Sequence, residues 1–193
     1  MSDRREALVL IDLQEDYFAD DELSRCRDDL VAACNDLVRA ARETDVPVIE
    51  VRTVHEHDGS TWTLNMREDG QGMALRGTPG VAPLDGLDND DALVVEKTRD
   101  NAFFGTDLRR RLEEQGIDHL VLCGVSTESC VAATAIDAFA HDLGVTLVSD
   151  ATASVDRDLH DDTLAQLADR YRQDVETAAE VEARWREPAA RTA

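Results

Sequence analysis

The stretch HLVLCGVSTESCVAATAIDA, residues 119–138, contains an aliphatic run, a glycine-led turn and a helix-forming segment in direct succession. The run at 119–125 is almost continuously apolar, which is typical of a strand that is buried on both faces of a sheet. A helix is predicted over 128–142, and its first turn contains Cys130. A buried strand that leads directly into a helix is the repeating unit of a parallel sheet covered by helices.

The same unit recurs along the chain. Further strands are predicted at 7–12, 47–53, 92–97 and 145–151, with a weaker sixth strand at 174–181. Further helices are predicted at 24–43, 105–115 and 157–172. This alternation predicts an α/β, Rossmann-like fold of three layers, with a doubly wound and mainly parallel six-stranded sheet. A single domain over residues 1–193 suits the chain length, and ligands are expected beyond the carboxyl ends of the strands.

One segment breaks the rhythm of strands and helices. Residues 54–91 contain six of the ten glycines in the chain and none of the predicted strands or helices. Loops of this length without secondary structure are uncommon in compact domains, and they often form lids or binding surfaces. We therefore expect residues 54–91 to be a long loop that forms the wall of a substrate pocket.

Charge restricts the classes of partner. The chain has 42 acidic and 20 basic residues, a net charge of −22 and a pI near 4.4. Such a surface repels nucleic acids and anionic membranes, so the expected partner is a small molecule. The acidic residues are spread over the whole chain, which is typical of proteins from halophiles, where concentrated salt screens the repulsion. Nineteen of the basic residues are arginine and only one, Lys97, is lysine.

The cysteines and the hydropathy pattern predict a cytoplasmic protein. Cys26, Cys34, Cys123 and Cys130 show no disulfide-framework or metal-binding spacing, so we expect four free thiols. No apolar run approaches the 18 residues or so of a membrane-spanning helix, and the first residues lack the apolar core of a signal peptide.

Three chemically distinct side chains follow strand ends. Asp12 ends the first predicted strand, Lys97 ends the third, and Cys130 opens the helix after the fourth. Alone, each has an ordinary explanation: Asp12 as a turn cap, Lys97 as a lysine that persists by chance, and Cys130 as a small buried thiol. Together they place an acid, an amine and a thiol at one edge of the sheet, which predicts a catalytic set.

The expected roles follow from the chemistry of each group. A thiol attacks as the thiolate, and a nearby cation and a helix N-terminus would lower the pKa of Cys130. Lys97 would supply the cation, and Asp12 would act first as general base and then as general acid. The N–H groups of Ser126 and Cys130 are predicted to form an oxyanion hole.

Four further residues are predicted to contact the substrate because they lie near these motifs. They are Gln14 and Phe18 after the first strand, Trp62 in the long loop, and Phe103 after Lys97. Phe104 is an additional aromatic candidate, with ordinary core packing as the alternative.

With these residues in place, the sequence resembles the isochorismatase-like cysteine hydrolases, the superfamily of nicotinamidase, carbamoylsarcosine amidase and ureidoacrylate amidase. The resemblance spans about residues 5–182, and it is carried by VLIDLQEDYF at 9–18, GTPG at 77–80, EKTRDNAFFGTDL at 96–108 and LCGVSTESCVAATAIDA at 122–138. It implies a six-stranded parallel sheet, an Asp12–Lys97–Cys130 triad and a cis peptide bond between Val125 and Ser126. It also implies a homo-oligomer, either a dimer or a tetramer.

The choice within the superfamily depends on two departures from its patterns. Nicotinamidases have an Asp-x-His metal motif after the second strand, whereas this chain has His55 and His57 there, so we predict no metal and no cofactor. Isochorismatases, which cleave a vinyl ether, lack the cysteine. We therefore predict that Cys130 hydrolyses a small carboxamide or ureide through a thioester and releases ammonia or an amine.

Three alternatives remain. They are an isochorismatase-type hydrolase of a non-amide bond, a nicotinamidase whose atypical metal site uses His55 and His57, and a nucleotide- or flavin-binding module. The last is disfavoured because no glycine-rich phosphate loop follows the first strand.

Overall fold

The computed structural model describes residues 4–19 and 21–187 of the protein. Six strands form one sheet in the order β3-β2-β1-β4-β5-β6, and every neighbouring pair is parallel. The strands are β1 Glu6–Ile11, β2 Val48–Thr53, β3 Leu93–Lys97, β4 His119–Val125, β5 Gly144–Ala153 and β6 Asp174–Glu176. The strand order reverses between β1 and β4, which is the point where doubly wound sheets bind ligands. The predicted fold class is confirmed.

Helices cover both faces of this sheet. They are α1 Asp21–Glu43, α2 Leu64–Asp69, α3 Leu108–Gln115, α4 Ala132–Ala140, α5 Arg157–Tyr171 and α6 Ala178–Arg186. Residues of α1 and α6 share one apolar core with the sheet, while residues of α3, α4 and α5 share the other. The arrangement is therefore three layers, with the sheet in the middle.

Strand β1 shows how the sequence divides between the two cores. Val9 and Ile11 face the core of α3, α4 and α5, whereas Leu8 and Leu10 face the core of α1 and α6, and all four are fully buried. Each such aliphatic side chain contributes about 1.5–3 kcal/mol through burial. The central strand is consequently fixed on both sides, and residues at its carboxyl end have a rigid support.

The carboxyl-terminal region differs from its prediction. Strand β6 ends at Glu176, and residues 178–186 form α6 instead of continuing the predicted strand. Thr177 and Glu180 form a reciprocal capping box that starts this helix, and Trp185 Nε1 donates a hydrogen bond to the Glu6 carboxylate. Residues 188–193 lie outside the described residues.

The segment 54–91 is more ordered than a plain loop. It contains α2 and a short 3₁₀ turn at Pro79–Val81. Residues after β1 hold it in place: the Leu84 N–H donates to the Leu13 carbonyl oxygen at 2.9 Å, and the Ala74 N–H donates to Asp16 Oδ2 at 2.6 Å. The loop is thereby attached to the same edge of the sheet that carries Asp12.

Two further sequence predictions can be compared with the structure. The four cysteines are unpaired, with Cys26 half-buried and the other three buried. Within the part of the chain that the structure describes, no helix has both the length and the apolar character needed to cross a bilayer.

Candidate active site

Asp12, Lys97 and Cys130 meet at the carboxyl edge of the sheet. Lys97 Nζ donates to Asp12 Oδ2 at 2.8 Å and lies 3.5 Å from Cys130 Sγ. The side chains of Asp12 and Lys97 are completely buried, and Cys130 as a residue is only 3% exposed. The three residues that were selected because they follow strand ends therefore lie together, and the amine lies between the carboxylate and the sulfur.

Thr53, which the sequence did not single out, joins this group from the end of β2. Its hydroxyl donates to Asp12 Oδ1 at 2.9 Å and accepts from Lys97 Nζ at 2.7 Å. The hydroxyl of Tyr17 donates to the Thr53 hydroxyl oxygen at 3.0 Å. The Thr53 N–H also donates to Asp12 Oδ1, at 3.0 Å. Both carboxylate oxygens of Asp12 therefore have fixed partners, which is what a buried charge requires.

The ion pair keeps Lys97 charged. Burial opposes a charge on this amine, but the negative charge of Asp12 and the hydrogen bonds to Asp12 and to the sulfur of Cys130 outweigh burial and raise the pKa of Lys97 above its ordinary value. An ammonium group therefore lies beside the sulfur at neutral pH.

The pKa of Cys130 corrects one sequence-based prediction. We expected a lowered pKa, but burial of the thiol, followed by the negative charge of Asp12, raises the pKa of Cys130 well above its ordinary value. The Lys97 charge lowers this pKa, but by less than burial and Asp12 raise it. In the resting site the sulfur is consequently a thiol, and it needs a base at the moment of attack.

Cys130 lies in a distorted turn that begins helix α4. Residues Thr127–Val131 form a π-helical turn, in which the Ser126 carbonyl oxygen accepts from the N–H groups of Ser129 and Val131. Turns of this kind occur frequently at functional sites. The Val125–Ser126 peptide bond that precedes the turn is cis.

A cavity of about 600 Å³ opens in front of the sulfur. Its wall comes from the segment 54–91, the segment after β3, and the start of α4. The apolar lining residues include Leu64, Met66, Met73 and Phe104. The polar lining residues include Tyr17, Thr53, His55, Arg99, Asp100, Asn101 and Ser129. This size suits a small molecule. A larger open groove, about 1200 Å³, lies at the opposite edge of the sheet, away from Asp12, Lys97 and Cys130.

The four predicted substrate contacts require correction, because none of them lines this cavity. Phe18 is buried in the core under α1, and Phe103 is buried against His141. Trp62 packs within the loop and donates from Nε1 to the Glu56 carbonyl oxygen at 2.9 Å. The neighbouring Phe104 does line the cavity, and it is 65% exposed. Proximity along the sequence did not reveal which aromatic side chain turns outward.

Gln14 binds the backbone of the protein and does not make the predicted contact with the substrate. Its amide oxygen accepts from the Thr53 N–H at 2.8 Å, and its amide nitrogen donates to the carbonyl oxygens of Thr53 at 2.9 Å and Val81 at 3.1 Å. The side chain is fully buried, and both of its amide atoms are engaged by the backbone. Gln14 therefore fixes the end of β2 and the long loop relative to Asp12.

The two histidines considered as metal ligands do not form a pair. His55 is buried at the cavity, with Nδ1 3.3 Å from Thr61 Oγ1, whereas His57 is exposed and its Nε2 lies 2.9 Å from the Arg76 carbonyl oxygen. Across residues 4–19 and 21–187, no group of three or more histidine, cysteine or acidic side chains is arranged to hold a metal ion. The donor set therefore does not fit the metal site of a nicotinamidase.

Comparisons with known proteins agree with this architecture. Residues 6–180 match the model of the isochorismatase domain family. A probable inactive nicotinamidase from Arabidopsis thaliana is 32% identical, covering 81% of this chain and 85% of that protein. Maleamate amidohydrolase from Pseudomonas putida is 28% identical over 87% of this chain and 81% of its own length.

A solved structure supports the same assignment. The crystal structure of a cysteine hydrolase from Pseudomonas syringae pv. phaseolicola is 28% identical, with a TM-score of 0.83, and the match covers 94% of this chain and 92% of that one. The family prediction is thereby confirmed: the chain belongs to the isochorismatase family of hydrolases.

Proposed function

We propose that the protein is a cysteine hydrolase that cleaves the C–N bond of a small carboxamide or ureide through a thioester at Cys130. The position of Lys97 Nζ supports this most strongly, at 2.8 Å from the Asp12 carboxylate and 3.5 Å from the sulfur, beside a cavity of about 600 Å³. A vinyl ether hydrolase would have no use for a sulfur in this position. We also place the protein in the cytoplasm, where its free thiols stay reduced.

The first half of the reaction forms the thioester. Asp12 accepts the thiol proton while Cys130 Sγ bonds to the carbonyl carbon, and the carbonyl oxygen becomes an oxyanion. The ammonium of Lys97 stabilises the negative charge as it develops on the sulfur. When the tetrahedral intermediate collapses, the C–N bond breaks and the nitrogen takes the proton from Asp12. Ammonia or an amine leaves.

The second half regenerates the enzyme. Asp12 accepts a proton from water while the water oxygen bonds to the thioester carbon, and the collapse of this intermediate breaks the C–S bond. The sulfur then takes the proton back from Asp12. The product is a carboxylic acid, or a carbamic acid when the substrate is a ureide.

In both halves the oxyanion needs hydrogen-bond donors. Ser126 directly precedes the turn that carries the sulfur and Cys130 lies within it, and we assign the N–H groups of these two residues this role. The carbonyl group of Ser126 is already occupied by the N–H groups of Ser129 and Val131, which holds the turn in one conformation.

The decisive experiment follows the sulfur during turnover. Ammonia release is screened over carboxamides and ureides, and intact-protein mass is recorded during turnover of the best substrate. We expect an acyl adduct on wild type and, for Cys130→Ala, no adduct and no release. Cys26→Ala changes a half-buried thiol in α1 and serves as the matched control, with unchanged activity. A Cys130→Ala variant that still releases ammonia at the wild-type rate would refute the proposal.

Thr53→Val tests how the buried network contributes to the reaction. The substitution keeps the side-chain shape but removes the hydroxyl shared by Asp12, Lys97 and Tyr17. We expect kcat/KM to fall about 30-fold, because a hydrogen bond to a charged group contributes about 1.5–3 kcal/mol. Thr53→Ser, which keeps the hydroxyl, should retain most of the activity. Equal losses in the Val and Ser variants would show that the hydroxyl alone does not account for the contribution of Thr53.

A further inference from the structure

Asp100 is a second carboxylate at the sulfur, and the mechanism above does not use it. It lies three residues after the end of β3, and its Oδ1 is 4.0 Å from Cys130 Sγ. The residue is exposed and lines the cavity. Within the described ranges its carboxylate has no other hydrogen bond and no ion pair. Asp100 thus presents a carboxylate without an ion-pair partner to a molecule that enters the cavity.

Asp12 differs from Asp100 in this respect. The Asp12 carboxylate is buried and paired with Lys97, so the two charges largely cancel for an incoming molecule. Burial is the largest cause of the raised pKa of Cys130, and the charges of Asp12 and Asp100 raise it further while Lys97 lowers it. The field at the nucleophile therefore includes the charge of Asp100, a carboxylate that has no ion-pair partner among the described residues.

Arg99, the adjacent cation, is engaged by the backbone. Its Nη1 donates to the Thr61 carbonyl oxygen at 2.7 Å and also to the Thr98 carbonyl oxygen. These bonds attach the loop that contains Thr61 to the segment after β3. The guanidinium lines the cavity wall, but its orientation is set by this attachment. The charge of Arg99 remains at the wall, whereas the Asp100 carboxylate has only the contact with Cys130 among the described residues and is free to pair with a cationic ligand.

The rest of the cavity suits an organic cation. Phe104 is 65% exposed and Leu64 is 76% exposed, and both line the same space as Asp100. Aromatic faces attract ammonium groups, and an apolar surround strengthens an ion pair with a carboxylate. The net charge of −22 adds a long-range attraction for cations and a repulsion of carboxylates.

We propose that Asp100 selects the substrate: the protein acts on small amides or ureides that carry a protonated nitrogen, and it discriminates against those that carry a carboxylate. This inference rests on the proposed function for its chemistry. The effect of the Asp100 charge on the reactivity of Cys130 can be measured without any turnover.

The first experiment probes the field at the sulfur with two thiol reagents of similar size. Aminoethyl methanethiosulfonate is a cation and sulfonatoethyl methanethiosulfonate is an anion; in each case the sulfur of Cys130 bonds to the reagent's sulfenyl sulfur and a sulfinate leaves. Labelling of the Cys130 peptide is followed by mass spectrometry. For wild type we expect the cation to react faster, and in Asp100→Asn we expect the cation-to-anion ratio to fall about tenfold.

Controls separate the local charge from the overall charge. Asp162→Asn removes one exposed carboxylate on α5 and should leave the labelling ratio unchanged. Cys130→Ala should remove the signal and gives the background. A ratio that is the same in Asp100→Asn and wild type would overturn the proposal, and so would wild-type preference for the anionic reagent.

The second experiment uses substrates. Matched amides with a cationic, neutral or anionic substituent are compared by kcat/KM in wild type, Asp100→Asn and Asp162→Asn. We expect Asp100→Asn to lower the cationic-to-neutral ratio about tenfold while the value for the neutral amide stays similar. If the labelling ratio responds to Asp100→Asn but no amide is hydrolysed, the proposed function fails and the role of Asp100 in selecting cations stands. If amides are hydrolysed with no dependence on Asp100, this inference fails alone.

Discussion

Lys97→Met is expected to lower kcat/KM for the best amide substrate about a thousandfold, which is the upper range for loss of one preorganised electrostatic contact. Methionine retains the apolar stem and removes the ammonium that lies 3.5 Å from Cys130 Sγ. Because Lys97 lowers the pKa of Cys130, its removal should raise that pKa further and slow attack at neutral pH. Steady-state kinetics and the pH dependence of Cys130 alkylation by iodoacetamide give the two readouts.

The stability of the Lys97→Met variant must be measured separately, because the substitution leaves Asp12 buried without its cation. Breaking a buried pair from one side costs about 3–5 kcal/mol, whereas neutralising both partners costs much less. The double variant Asp12→Asn and Lys97→Met should therefore unfold nearer the wild-type temperature and remain inactive. A stable double variant with wild-type kcat/KM would show that the ion pair has no catalytic role.

Gly124→Ala is expected to destabilise the protein by about 4 kcal/mol, at the upper end of single substitutions. Gly124 has φ +117°, and a Cβ there would lie 2.0 Å from the Ile11 carbonyl oxygen. That oxygen belongs to β1, which is paired with β4 on one side and β2 on the other, so it cannot move away. Two contributions add up, an unfavourable backbone conformation and a steric clash. Chemical denaturation measures the loss.

Gly77→Ala is the matched control for the conformational part. Gly77 has φ +78°, but a Cβ there would meet nothing within 4 Å. We expect a cost of only about 1 kcal/mol. If both substitutions cost the same, the close approach of β1 and β4 beside Asp12 would not be the reason for the glycine.

The fold and the three central residues could be predicted because they follow from periodicity and topology. Near-continuous aliphatic runs predict a buried parallel sheet, and parallel strands bring their carboxyl ends to one edge. Asp12, Lys97 and Cys130 then stand out as reactive groups directly after strands. Helix α6 also had a readable signal, since Thr177 and Glu180 have the spacing of a capping box, although a strand was predicted there.

The rest of the site depends on packing that no local pattern encodes. A threonine at a strand end is an ordinary β-former, so nothing marked Thr53 as the shared partner of the ion pair. Phe103 and Phe104 are adjacent, and only the tertiary structure decides which one is buried. The pKa of Cys130 was predicted in the wrong direction because burial, its largest determinant, cannot be judged from charge and sequence position.

Hydrogen bonds with Leu13, Gln14 and Asp16 fix one part of the loop 54–91 and leave the other part to line the cavity. Its second half, from Ala74 to Leu84, is bonded to the residues beside Asp12, whereas α2 projects over the cavity at Leu64 and Met66. Replacing the stretch between His57 and Gly72 should therefore change which ligands the cavity binds, while Asp12, Lys97 and Cys130 keep their positions. Under the proposed function, ligand preference would then change without any change in the sheet.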